Sequence, residues 1–321
     1  MKVLITGGLG HIGSQLIRDM AAWKNVELIR ILDNLSTQRY VSLFNLPKEG
    51  NYEFIEGDIL DEETLNKSVE GVDAVIHLAA ITNAEYSFAI KDEVLRVNLE
   101  GAKQTVAACQ KAGVRQILFP STTSVYGPRS GVAFEDCSRD ELNPQSPYAE
   151  AKLQAEDFIL GASRGDFQAT VFRFGTIFGP SIGMRFHTAV NKFIFLACLG
   201  RPLTVWEQAL HQQRPYLDLR DGLNALRFAL ENPRKVAGER FNVVTLNATV
   251  AEIIEAIKKQ IPDVEIQFTK SAILNQHSYS VDGAKLISRG FAYQGNLQQG
   301  IASTISLLRA LIRQSDLKMI G

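Results

Sequence analysis

The sequence predicts an α/β fold: a doubly wound parallel sheet followed by a smaller mixed α/β part. Three features carry that expectation. A glycine-rich turn joins an apolar run to a helical pattern at the start, strand and helix then alternate five times, and beyond residue 175 the alternation gives way to mixed segments rich in Arg and aromatic residues. Repeated strand–helix–strand units pack as parallel strands with right-handed crossovers. The boundaries read from this are 1–175 for the first domain, with later segments returning to it, and 176–321 for the second.

Composition narrows the classes. With 321 residues and 45% hydrophobic content, the chain can bury one large core or two smaller ones. A formal net charge of −1 without long runs of one sign gives no broad basic field, which argues against nucleic acid or an anionic membrane as partner. Any anionic ligand has to be met by local groups. Cys109, Cys137 and Cys198 are odd in number, far apart and not at metal-ligand spacing, so they read as reduced, mostly buried thiols and no metal site is expected. A strand beginning at residue 2 leaves no room for a signal peptide, and no apolar run approaches membrane-spanning length. These features predict a cytoplasmic protein.

Lys2 to Thr6 reads as a buried strand, and Ile12, Leu16, Ile17 and Met20 give the next helix its apolar face. Between them Gly7, Gly10 and Gly13 fit G-x-x-G-x-x-G, which lets the backbone turn tightly, approach a pyrophosphate and bring the helix close to the strand. The N–H groups and partial positive charge at the helix start would hold that pyrophosphate. Val26 to Leu32 is the second strand and ends at Asp33-Asn34. An acid about twenty positions past the glycines can accept hydrogen bonds from the adenosine ribose and repel a 2′-phosphate, favouring NAD over NADP; the other reading of Asp33 is a turn cap.

Tyr52 to Glu56 is the third strand, turned by Gly57-Asp58-Ile59, and Asp61 caps a helix whose Leu65 and Val69 face inward. Asp73 to His77 is the fourth; Leu78, Ala79 and Ala80 follow at its carboxyl end, where open α/β sheets receive ligands. His77, beside the apolar sheet, reads as structural. Glu93 to Gly113 forms one long amphipathic helix carrying Val94, Val97, Val106 and Ala107, and Val114 to Pro120 is the fifth strand. That strand runs into the hydroxyl cluster Ser121-Thr122-Thr123-Ser124. Pro147 then opens a helix on which Tyr148 and Lys152, four apart, share one face. An ammonium near the phenol would lower its pKa from about 10 toward the range of a working acid/base.

Taken together, TGGLGHIG, LDNLST, HLAA, STTSVYG and PYAEAK resemble the extended short-chain dehydrogenase/reductases, specifically the nucleotide-sugar epimerases. The resemblance covers the amino-terminal two thirds well and the remainder loosely. It implies Tyr148 as acid/base, Lys152 as its cofactor-anchoring partner and Thr122 as the third catalytic residue, with Ser121 and Thr123 beside it. It implies NAD on the Rossmann sheet, contacted by Gly7, Gly10, His11, Ile12, Gly13, Asp33, Asn34, Asp58, Ile59, Leu78, Ala79, Ala80, Asn98, Tyr148 and Lys152. It also implies a nucleotide-diphosphate sugar as substrate and a homodimer formed by a four-helix bundle, although the helices' apolar faces equally suit packing on the sheet.

Past a sixth strand, Thr170 to Phe174, the basic residues Arg185, Arg201, Arg214 and Arg220, along with Asn191, lack obvious neutralising partners at helical spacing. QRPYLD resembles the family segment whose Arg grips the diphosphate, which is Arg214 here. Thr123, Thr176, Arg185, Asn191, Arg214 and Tyr279 make the expected substrate side, Tyr279 at the position where bulk limits the C2 substituent. Thr176 replaces a frequent family Asn, and no second Arg stands near Ala272, where Lys270 is the nearest cation. Helices at about 220–232, 249–260 and 296–314, with strands near 240–244 and 264–268, are expected to complete a small cap. The dehydratases and decarboxylases of the family carry an acid one or two places after the catalytic Thr; Thr123 and Ser124 stand there. This ranks epimerisation at C4 first and one-way reduction of a keto-sugar second, lowers dehydration and decarboxylation, and puts a non-catalytic dinucleotide sensor last.

Overall fold

The computed structural model describes residues 1–270 and 278–311. Its first half alternates β1 (Lys2–Thr6), α1 (His11–Asp19), β2 (Leu28–Asp33), β3 (Tyr52–Glu56), α2 (Glu62–Val69) and β4 (Ala74–His77). Then come α3 (Lys91–Leu95), α4 (Gly101–Ala112), β5 (Gln116–Thr122), the short β6 (Val132–Ala133), α5 (Pro147–Ala162) and β7 (Gln168–Phe174). The second half comprises β8 (Thr176–Phe178), α6 (Ala189–Cys198), β9 (Leu203–Trp206), β10 (Gln213–Asp218), α7 (Leu219–Glu231), α8 (Pro233–Val236) and β11 (Arg240–Val243). It closes with β12 (Leu246–Thr249), α9 (Val250–Lys258), β13 (Ile266–Thr269), β14 (Ser280–Val281), α10 (Ala284–Ser288) and α11 (Leu297–Leu307). Ala272 and residues 312–314 lie outside the described residues.

Seven strands form one parallel sheet in the order β11-β7-β5-β4-β1-β2-β3. The order reverses beside β1, so the carboxyl ends of β1 and β4 open the crevice where such sheets take ligands. Alternate side chains feed two cores. Ile5, Ile31 and Phe172 pack with α1 and α7 on one face, and Leu4, Val75, Ile117 and Phe119 pack with α2, α4 and α5 on the other.

The expected cap loses two of its elements. Strand β11 pairs with β7, placing Phe241 and Val243 beside Phe172, and α7 lays Leu223, Leu226 and Leu230 on the core that holds Leu16 and Ile17. The remaining part has its own core of Phe178, Val190, Ile194, Val205, Tyr216, Ile253, Ile257 and Ile301. The expected single helix over Glu93–Gly113 is also interrupted. Arg96–Glu100 adopts a π-helical turn between α3 and α4. The extra residue rotates the stripe, so Thr105, Ala108 and Cys109 are buried in α4 while Ala107 is exposed.

Candidate active site

The glycine turn is built by exclusion. Gly7 holds φ +66°, and a Cβ there would lie 2.6 Å from Ala79 N; one on Gly13 would lie 2.5 Å from Gly8 O. At Gly10 the space is open: the nearest atoms are Gly7 O at 3.4 Å and Arg39 Nη1 at 3.9 Å. Helix α1 starts there without any side-chain cap, leaving its first N–H groups for an anion. The structure therefore fits a dinucleotide diphosphate at this turn.

From the turn a cleft of about 350 Å³ runs past Asp33, Asn34, Asp58, Ile59, Leu78, Ala79 and Ala80. Asp33 accepts from Leu9 N at 3.0 Å and from Leu35 N at 2.9 Å, so its carboxylate is fixed by the loop it borders. Asn34 donates to Asp58 at 2.9 Å across the cleft. Asn98 does not line it. Its buried amide donates to Ile81 O and accepts from Ile81 N, both at 2.8 Å, so it shapes the loop after β4 from the π-helical turn. Sequence reasoning missed Arg39 and Tyr86, which also line this cleft. A basic residue in the loop directly after β2 was the available signal for Arg39.

Leu78 and Ala80 are shared with a second cavity of about 320 Å³, where Ile12, Thr122, Tyr148, Lys152, Thr176 and Arg185 converge with Ser124, Thr82, His187 and Thr188. Ser146 caps α5 by accepting from Ala149 N at 3.2 Å, with Pro147 in the first turn, and this fixes where Tyr148 leaves the helix. The Tyr148 phenol faces the hydroxyl of Thr122, the last residue of β5, in this cavity. Burial pushes its phenol pKa up, and the cation that opposes this is Arg185. The expected partner, Lys152, points elsewhere: Nζ donates to Pro120 O at 2.9 Å and stands 4.3 Å over the Phe119 ring. Burial lowers its amine to about 7, against the pull of Glu156. The shared helix face therefore brings the two side chains to one cavity, with the ammonium held on Pro120 O.

A third cavity, about 310 Å³, continues from Ser124, Thr176, His187 and Thr188 to Lys192, Trp206, Gln212, Arg214 and Tyr279. Arg214 lies 5.3 Å over the Tyr279 ring. Thr123 is buried, its hydroxyl 3.4 Å from the Tyr279 hydroxyl, and it braces that ring without lining the cavities. Asn191 is likewise withdrawn: it accepts from Gly179 N at 3.3 Å and donates to Arg185 O at 3.2 Å, so it orders the loop that presents Arg185. Arg185 donates to Thr82 across the cavity. Arg220 is paired with Asp218 at 3.1 Å, two residues back, a partner that a search at helical spacing passes over.

The loop after β8 also lies on the glycine turn. Gly183 N donates to Ser14 Oγ at 2.9 Å, the His11 ring donates to Gly179 O at 3.0 Å, and a Cβ on Gly183 would reach 2.4 Å from Leu9 O. Burial lowers the His11 pKa to about 4. Its ring is thus a strut between turn and loop, and only its backbone is at the helix start. Three buried polar atoms in the cavities, Arg185 Nε, Thr188 Oγ1 and Gln212 Oε1, have no hydrogen-bond partner. Such orphans fit a polar ligand.

A dinucleotide turn at one end of a parallel sheet and a strand-end Thr meeting a helix-borne Tyr and Lys in the adjoining cavity define a dinucleotide-binding α/β protein of the short-chain dehydrogenase type. The family model described as the NAD dependent epimerase/dehydratase family matches residues 3–244, and the chain belongs to that family. A dTDP-D-glucose 4,6-dehydratase of Mus musculus is 29% identical over 323 residues, covering 96% of this chain and 88% of that protein. A trifunctional UDP-glucose 4,6-dehydratase/UDP-4-keto-6-deoxy-D-glucose 3,5-epimerase/UDP-4-keto-L-rhamnose-reductase of Arabidopsis thaliana is 28% identical over 319 residues; that is 95% of this chain but 46% of that protein, so the chain spans about half of it. The UDP-glucuronic acid 4-epimerase from Bacillus cereus, solved with UDP-glucuronic acid and NAD, superposes with TM-score 0.86 at 25% identity, covering 97% of this chain and all of the other. Among the described residues, no helix is long and apolar enough to cross a membrane.

Proposed function

We propose that the protein is an NAD-dependent epimerase of a nucleotide-diphosphate sugar, acting at C4 through a transient 4-keto sugar, on a substrate of the UDP-glucose/UDP-galactose type. The observation that carries this reading is the convergence of Tyr148, Thr122 and Lys152 in the cavity that joins the dinucleotide cleft to the Arg214 end. Gly7, Gly10, Gly13, Asp33 and Asp58 would hold NAD, with Lys152 at its ribose. When bound, it supplies a hydride acceptor and donor for reversible alcohol–ketone interconversion. Tyr148 takes the proton of the reacting hydroxyl and returns it, Thr122 holds the oxygen by a hydrogen bond, and Arg214 grips the diphosphate. Trp206, on the wall beside Arg214, offers a face to the nucleotide base.

One-way reduction of a keto-sugar stands second and dehydration below it, because elimination needs a carboxylate near the reacting carbons. Among the described residues lining the catalytic cavity the carboxylate is Glu85, which is exposed at its mouth. We also place the protein in the cytoplasm, on its free thiols, and pair two copies through the outer faces of α4 and α5. There Phe158 is exposed beneath Lys103. The direct test incubates purified protein with UDP-glucose or UDP-galactose and no added cofactor. Interconversion is expected, as is NAD in the denatured sample by mass. Turnover only with added NADPH means a reductase, and no turnover with any sugar nucleotide means a sensor.

A further inference from the structure

We propose that Glu156, clamped by Arg173 and tied to Ser121, is a positioning residue that keeps Tyr148, Lys152 and Thr122 in register; this rests on the epimerase reading above. Tyr148, Lys152 and Glu156 are spaced four apart and form one stripe on α5. That stripe meets the end of β5 residue by residue. Lys152 donates to Pro120 O at 2.9 Å, Glu156 accepts from Ser121 Oγ at 2.5 Å, and the Tyr148 phenol faces Thr122. A shift of the helix by one residue would break all three contacts together.

The middle contact is fixed from a second strand. Ser121 and Arg173 are register partners on β5 and β7, and Arg173 grips both oxygens of Glu156, with Nε at 3.2 and 3.0 Å and Nη2 at 2.8 Å. Both side chains of the pair are fully buried. Arg173 is itself stacked 4.8 Å over Tyr126, whose hydroxyl donates to Asn242 on β11 at 2.7 Å. A buried ion pair of this kind contributes little net stability over apolar residues of the same volume, and its best-attested use is to specify register. The pair also acts on charge. The groups facing Lys152 are Glu156 and Tyr148 on its own helix, His77 on β4, Arg173 behind Glu156 on β7, and Arg185 and His187 across the cavity. Among them the Glu156 carboxylate is what favours the ammonium, and Arg173 is the countercharge paired with it.

The test compares wild type, Glu156→Gln, the double variant Glu156→Gln/Arg173→Gln, and Ser121→Ala. Two quantities are read: the pH–rate profile of epimerisation, and the pH midpoint for acetylation of Lys152 by acetic anhydride, followed by mass spectrometry. In Glu156→Gln the amine midpoint and the limb of the kcat profile set by Lys152 are expected to move down by about one pH unit, because an opposite charge is lost and Arg173 remains. The double variant is expected to recover at least half of that shift. Ser121→Ala, which leaves the ion pair intact, is expected to lower kcat on the order of tenfold with KM within twofold and the amine midpoint unmoved. An unmoved midpoint in folded Glu156→Gln, or a Ser121→Ala protein with wild-type kcat, overturns the proposal. Should Glu156→Gln fail to fold, the Ser121→Ala rate decides. A wild-type protein inactive on every sugar nucleotide whose Lys152 midpoint still follows the charge of Glu156 overturns the epimerase reading and leaves the electrostatic role of Glu156 standing; a midpoint that does not follow it overturns both.

Discussion

Tyr148 works at a depth where burial resists formation of phenolate, and Arg185 is the cation that counters it. Replacing Arg185 with Met removes that help, so the phenol pKa rises. The limb of the pH–rate profile set by the phenol is then expected to move to higher pH by roughly half a unit to one unit; an unmoved limb would mean that Arg185 does not face the reacting oxygen. Tyr148→Phe removes the proposed proton-transfer group alone. A fall in kcat of about 10²–10⁴ with an unchanged melting temperature is expected, checked by progress curves and calorimetry on the same preparation. Residues of this kind were legible because Tyr, Lys and Thr carry chemistry that the backbone around them announces. Asn98, Asn191 and Thr123 are harder to read, because an amide or hydroxyl shows no preference in sequence between a ligand and a group of the protein itself. Contacts to Ile81, Gly179 and Tyr279 decide it.

At the scale of elements, the strand-and-helix alternation was readable because apolar period 2 and period 3.6 are distinct. The strand Arg240–Val243 was recognised as a strand yet assigned to the wrong sheet. Four residues specify an extended backbone but not an edge, and it is the aromatic packing of Phe241 on Phe172, 6.2 Å between ring centres, that seats it beside β7. The π-helical turn was invisible for a related reason: one inserted residue leaves the local apolar count unchanged. The glycine turn, by contrast, is rigidly determined. Gly13→Ala drives a methyl to 2.5 Å from Gly8 O, backbone against backbone, where no rotamer can relieve it. Loss of co-purifying NAD and about 1–3 kcal/mol of stability are expected, measured by absorbance of the denatured extract and by urea titration. Gly10→Ala, with its nearest atom at 3.4 Å, should fold normally and lose only the cofactor.

The whole molecule carries its buried imidazoles uncharged. Burial lowers His77 to about 3 and His11 to about 4, from an ordinary value of 6.5. Below pH 6.5 the unfolded chain takes up protons at these sites and the folded chain does not, so stability falls with falling pH until the folded values are reached. Each ring is expected to remove about 2 kcal/mol at pH 5 relative to neutral pH. Urea titrations of wild type and His77→Asn at the two pH values check this, since the variant should lose one such share of the pH dependence; a flat wild-type profile contradicts it. The seating of Gly183 and Gly179 against Ser14 and His11 has a consequence at this scale too. The loop that brings Arg185 into the catalytic cavity is thus also seated on the glycine turn, so binding of a sugar nucleotide and of a dinucleotide is expected to be linked. A bound sugar nucleotide should slow exchange of the resident dinucleotide for a labelled one, and by reciprocity stripping the dinucleotide should weaken sugar binding by an equal factor.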